Sequence, residues 1–230
     1  MTSAPSAAPA TAWTLAGLVA GDGRGRLDLA APIGGLALAG DDRVLGLDLR
    51  SPSAAVRLVD HWARGDDLVG VYEPADPRRL RATAMWRSLA AERGWELVLA
   101  AQTALVESDS ALAVTCDLRG GSVTWGRGAG SGIRWEPLGQ AALPAEATCL
   151  LVRRDADAVL VAVHPADVRR ILVAREAGRV HIACWLFTAA IEKGVLLKSR
   201  VLAATGPAAD TAWADRLVIG LATSPPPLSA

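Results

Sequence analysis

Eight residues able to do polar chemistry crowd one short stretch of the chain: Asp60, His61, Trp62, Arg64, Asp66, Asp67, Tyr72 and Glu73. Two further groups stand apart, His164 with Asp167, Arg169 and Arg170, and Glu192 with Lys193. Carboxylates and imidazoles held a few ångströms apart at strand ends serve as general acid and base. On that chemistry His164 and Glu192 are the candidate proton carriers. His61, Trp62, Arg64, Asp66, Asp67, Tyr72 and Glu73 are the candidate ligand-binding set, with Trp62 as a stacking platform. The competing reading of the same residues is salt bridging and turn formation within a hairpin.

Tryptophan sharpens the choice. The chain has 8 Trp against one Tyr and one Phe. An indole stacks on the apolar C–H face of a sugar ring and equally fills a sandwich core. Trp62, Trp125 and Trp135 lie beside turn signals and are the expected exposed ones, whereas Trp86 and Trp185 read as core.

Other chemistries find no pattern. The glycine-rich run from Gly126 to Gly132 follows a strand-like segment, but no helix opens after it, so it lacks a phosphate cradle and reads as a surface loop. Ser122 and Ser131 lack the flanking glycines of a nucleophile elbow. The three histidines, His61, His164 and His181, share no local ligand spacing, and no metal or cofactor is implied. Arg64-Gly65-Asp66 spells an adhesion tripeptide but is better explained as a turn around glycine.

These residues must be positioned by extended chain. From Arg79 to Arg87 the sequence alternates, with Leu80, Ala82, Ala84 and Trp86 on one side and Arg79, Arg81, Thr83 and Arg87 on the other, broken only by Met85. A period of two belongs to a strand with one wet face. Two segments read as hairpins: Ala55–Trp62 with Leu68–Glu73, and Thr148–Arg153 with Ala158–His164. The second arm of the latter is apolar on both faces, as a strand covered on two sides requires. Helix is expected at Thr211–Leu221, with Asp210 as N-cap, and as a short turn at Arg87–Arg93 ended by Gly94. Without β-α-β alternation, the expected fold is all-β: two antiparallel sheets packed as a sandwich, with one short C-terminal helix.

Composition narrows the class. The 24 basic and 24 acidic residues balance, so the concentrated positive face that nucleic acid demands is not expected. No apolar run reaches the roughly 18 residues of a membrane helix. The three cysteines, Cys116, Cys149 and Cys184, are widely spaced in apolar segments and read as buried thiols in a reducing cytoplasm. Residues 1–12, rich in Ala, Ser and Pro, read as a disordered start without the basic region of a secretory signal. Residues 13–223 read as one domain, and 224–230 as a proline-rich tail.

Four segments carry a family likeness: His61-Trp-Ala-Arg-Gly-Asp-Asp-Leu-Val-Gly-Val-Tyr-Glu73, Leu97-Val-Leu-Ala-Ala-Gln-Thr-Ala-Leu105, Val161-Ala-Val-His-Pro-Ala-Asp167 and Trp185-Leu-Phe-Thr-Ala-Ala-Ile-Glu-Lys-Gly-Val195. Together they resemble a group of uncharacterised bacterial proteins. The many strands and the length are similar to the supersandwich of galactose mutarotase-like proteins. That likeness implies an architecture and, by analogy, carbohydrate binding or sugar-directed chemistry. No catalytic residue is carried over, because the mutarotase pattern of paired histidines and a carboxylate has no match here. The alternative is a non-catalytic scaffold or interaction domain.

Overall fold

The computed structural model describes residues 12–224 except 39, 50–55, 76–79, 90–91, 109–111, 130–131, 140–141 and 188–189. The expected disordered start and proline-rich tail therefore fall almost wholly outside the described residues. The two-sheet antiparallel sandwich read from the two-residue rhythm is the architecture found, with one C-terminal helix.

The first sheet is built from β1 (Thr14–Ala16), β2 (Val19–Gly21), β3 (Arg26–Asp28), β4 (Leu36–Ala37), β5 (Arg43–Asp48), β11 (Leu112–Arg119), β16 (Arg170–Glu176) and β17 (Arg179–Leu186). Its spatial order is β1-β2-β3-β4-β5-β11-β17-β16. The second sheet comprises β6 (Val56–Arg64), β7 (Asp67–Pro74), β8 (Leu80–Leu89), β9 (Gly94–Thr103), β12 (Ser122–Ala129), β13 (Gly132–Pro137), β14 (Cys149–Arg153), β15 (Asp157–Val163) and β19 (Leu196–Pro207). Its order is β13-β12-β14-β15-β19-β9-β8-β7-β6. A separate ribbon pairs β10 (Glu107–Ser108) with β18 (Ile191–Glu192).

The inner faces of the two sheets share the main core, which includes Leu47, Trp86, Leu97, Val114, Leu150, Val161 and Ile182. Alternation does what it requires along β8: Ala82, Ala84 and Trp86 are buried, while Arg81, Thr83, Met85 and Arg87 turn outward. The arm β15 is apolar on both faces because both are covered. Val159, Val161 and Val163 join the main core, and Ala158, Leu160 and Ala162 lie beneath helix α1 (Ala212–Thr223). The helix starts one residue later than expected, and Asp210 still receives the Ala212 N–H at 2.9 Å. Trp213, Ala214, Val218 and Leu221 form its buried face, and the Trp213 ring lies so close to Gly206 that any Cβ there would collide with it. No helix among the described residues is long and apolar enough to cross a membrane.

Three local expectations change. The Gly126–Gly132 run is not a loop: β12 extends to Ala129 and β13 begins at Gly132, with Ser131 outside the described residues. Glycine is required at Gly126 because Ile133, Trp135 and the Cys149 thiol crowd its α-carbon. The expected helical turn at Arg87–Arg93 is replaced by continuation of β8 to Leu89 and entry into β9 at Gly94. Two tryptophans exchange roles by register. Trp125 is buried in the core, whereas Trp185 lies on the outer face of the first sheet, opposite Ala113.

Candidate functional site

The hairpin that carries most of the candidate residues is β6–β7, tighter than its sequence implied. Its strands run to Arg64 and from Asp67, leaving only Gly65 and Asp66 to turn. Gly65 has φ 57°, the left-handed first position that a two-residue hairpin turn of this kind needs. Trp13 fixes the turn from outside, its backbone N–H donating to Gly65 and its indole N–H to Asp66, each at 3.0 Å.

A bulge decides which of these side chains share a face. The β6–β7 register slips between Leu58 and Asp60, so Val59 is the extra residue. Beyond it, His61 pairs with Gly70 on the face of Tyr72 and Leu68, and Trp62 pairs with Val69 on the opposite face. Tyr72 is buried, and its hydroxyl donates to the Leu29 carbonyl at 3.1 Å. Burial, with Asp28 adding to it, pushes that phenol well up. Tyr72 and His61 therefore face inward, Asp66 sits in the turn, and Trp62, Arg64, Asp67 and Glu73 share the outer face.

On that face the register builds an ordered strip. Trp62, Val69, Met85, Val98 and Arg200 stand opposite one another on β6, β7, β8, β9 and β19; Val71, Thr83 and Ala100 form the neighbouring row. Charged rows flank these two. On one side are Arg57, Glu73 and Arg81, with Arg81 Nε 3.2 Å from Glu73; on the other are Arg64, Asp67, Arg87 and Glu96, with Arg87 Nε 2.7 Å from Asp67. That carboxylate holds the Arg87 guanidinium more firmly protonated than usual. Val69, Val71 and Val98 are buried as the floor, and Trp62 at the sheet edge is 44% exposed. The far end is closed by Arg200, whose Nε lies 2.5 Å from Glu96 and whose Nη1 donates to the Ser224 carbonyl and hydroxyl at the end of α1.

His164 and Glu192 lie elsewhere. His164 continues the β15 ladder, donating its N–H to the Arg200 carbonyl at 3.0 Å. Five strand spacings separate it from Trp62, roughly 24 Å across the sheet. Its Nδ1 accepts the Ala166 N–H at 3.3 Å and stands 3.8 Å from Asp167. Burial raises the Asp167 carboxyl above its ordinary range, with His164 opposing that rise. Glu192 is exposed on β18 directly opposite Glu107. No hydrogen bond or ion pair among the described residues joins His164 or Glu192 to the hairpin.

Two arrangements were not foreseen from sequence. Asp22 is buried, and its Oδ2 accepts Ser88 Oγ at 2.6 Å and Trp95 Nε1 at 2.7 Å, while Oδ1 accepts the Arg24 and Gly25 N–H groups. Arg24 packs over the Trp95 ring and caps the Leu89 and Glu92 carbonyls. Burial works against the Asp22 charge, but the donors prevail and lower its pKa. With its acceptor capacity filled, this cluster fastens β2 to β8 and β9. The second is His181, whose Nδ1 lies 3.3 Å from Asp117 on the outer face of the first sheet. Neither was legible, because the partners are far apart in the chain.

Open depressions of about 640 Å³, beside Gly21, Gly23, Arg24 and Arg26, and about 420 Å³, beside Leu47, Asp48, Leu58 and Tyr72, contain none of His61, His164 or Glu192. No group of three or more His, Cys, Asp or Glu among the described residues could hold a metal ion. The thiols are buried, and burial pushes Cys116 and Cys149 up to about 12.

Compared by sequence, the chain matches no family profile. It matches no curated protein either. Compared by structure, it is similar to a protein assigned as an aldose 1-epimerase from Escherichia coli K12, with 11% identity and a TM-score of 0.49 over 77% of this chain and 82% of that one. It is also similar to the GH36 α-galactosidase AgaA from Geobacillus stearothermophilus, with 11% identity and a TM-score of 0.46 over 70% of this chain. An α-galactosidase from Lactobacillus brevis gives 9% identity and a TM-score of 0.43 over 75% of this chain. The chain spans 30% and 28% of the length of these two galactosidases. No residue role is carried from any of them, and the fold assignment rests on the sheets themselves.

Proposed function

We propose that the protein binds a carbohydrate along the strip that starts at Trp62 on the outer face of the nine-stranded sheet. What supports this reading is one observation: an exposed indole continues into a floor of Val69, Met85 and Val98 that is walled on both sides by ion-paired side chains. Sugar rings have an apolar C–H face and a hydroxyl rim, so an aromatic floor between polar rows matches both. The strip crosses four strand spacings, roughly 19 Å, longer than one ring needs. Arg64, Asp67, Glu73, Arg81 and Arg87 are the hydroxyl-binding candidates, already oriented by their mutual pairing.

The reading is one of binding. A proton-carrying role for His164 or Glu192 would require substrate far from the strip. The test is a glycan and sugar-phosphate binding screen on the wild-type protein and on Trp62→Ala. The expected result is a hit that Trp62→Ala weakens at least about tenfold, or about 1.4 kcal/mol. Binding by neither protein would favour the scaffold reading, and equal binding by both would remove the strip from the account.

A further inference from the structure

The outer face of the eight-stranded sheet carries a second constellation that owes nothing to the Trp62 strip. By register, His181 on β17 stands opposite Asp117 on β11, and Trp185 on β17 stands opposite Arg170 on β16. Between these two pairs lies a row of smaller side chains, Thr115 opposite Ala183, with Leu172 on the far side of Ala183.

Each end of this row is held in place. At one end Arg179 donates to the Asp41 and Asp117 carbonyls, both at 3.1 Å, and its Nε lies 2.6 Å from Asp117 Oδ1. The same oxygen stands 3.3 Å from His181 Nδ1. With Nδ1 turned toward that carboxylate, Nε2 is left as the working nitrogen. The His181 side chain is 45% exposed, and Nε2 has no partner among the described residues. Among the described residues, His61 and His164 have no such carboxylate within hydrogen-bond distance of the ring. At the other end the Arg170 guanidinium packs over the Trp185 ring, 5.4 Å from its centroid. A guanidinium placed over an indole keeps its N–H fork for a carboxylate or phosphate, and Arg170 has no carboxylate partner among the described residues.

We propose that this face is a binding site for a small hydroxylated acid, a carboxylate or phosphate monoester, seated over Ala183 between Arg170 and His181. Four residue steps along β17 lead from His181 to Trp185, about 13 Å. The reach of the Arg170 side chain narrows that span to the length of an oxidised or phosphorylated monosaccharide. Arg170 takes the oxyanion. His181 Nε2 takes a hydroxyl, and Leu172 borders the open side.

The test is an amide- and indole-resolved NMR titration of the full chain with sodium glucuronate, glucose 6-phosphate and glucose. Either or both acids are expected to shift Thr115, Ala183 and the Trp185 indole, and glucose is expected not to. Arg170→Ala should weaken the acid at least about tenfold, the loss expected for a charge-assisted contact. Arg170→Lys should fall between, keeping the charge without the fork. Both variants change an exposed side chain, and unchanged core resonances confirm that they fold. Trp62→Ala should leave the acid-induced shifts of Thr115, Ala183 and the Trp185 indole as they were, which separates this site from the strip on the opposite face. No shift with either acid, equal shifts with glucose, or affinity unchanged in Arg170→Ala would overturn the proposal.

Discussion

The outer face of the nine-stranded sheet has two halves, finished in different ways. Over β14, β15 and β19 the face is made of Cys149, Leu151, Ala158, Leu160, Ala162, Leu202 and Ala204, with Arg153 at the end of β14, and α1 covers it. Over β6 to β9 the floor is again apolar, but charged rows flank it. Small side chains let a helix sit close, as the contact of Trp213 with Gly206 shows. Larger ones between ion pairs keep other chains off while leaving an apolar strip for a ligand that brings its own hydroxyl rim. Arg200 stands on the boundary, pairing with Glu96 on the open side and holding Ser224 on the covered side. Apolar surface alone therefore does not distinguish a seat for the protein's own helix from a seat for something else.

The largest expected effect breaks the covered half. Trp213→Ala should cost about 3–5 kcal/mol in denaturant unfolding, because the ring is buried and its indole N–H is bonded to the Pro207 carbonyl. A cost below about 1 kcal/mol would mean that α1 is not integral to the fold. Next comes the boundary. Arg200→Met should cost about 3 kcal/mol by leaving the buried Glu96 carboxylate without its nearest cation, and Glu96→Gln made in the same chain should recover part of it. On the open half Arg87→Ala should cost at most about 1 kcal/mol, since the Arg87–Asp67 pair is about one-third exposed and screened by water. It should nevertheless weaken carbohydrate binding. The smallest stability effect is Trp62→Ala, within about 0.5 kcal/mol, so any loss of ligand affinity in that variant is a loss of contact.

How much of this was legible follows from the range of each interaction. Alternation along Arg81–Arg87, the two hairpins and α1 are local patterns and stand in the sequence. The strand through Gly126 is not, because glycine weakens a strand unless neighbours need the room, and those neighbours, Trp135 and Cys149, come from other strands. The hairpin that carries the strip was visible, but not the bulge at Val59. Were Val59 in regular register and not bulged, the alternation from Leu58 would send His61 outward and Trp62 inward. Trp125 and Trp185 exchanged places for a similar reason, since each lies on a strand whose buried face is set by partners distant in sequence. The contacts of Asp22 with Ser88 and Trp95 and the Asp117–His181 pair are assembled by such long-range approach.

The central claim concerns the open half, and methyl-resolved NMR tests it most directly. On addition of the best glycan from the screen, the methyl groups of Val69, Val71, Met85 and Val98 should shift together with the Trp62 indole. The core methyls of Leu47, Leu97 and Val161 should stay fixed. Shifts spread through the core, or confined to residues off the strip, would contradict the account.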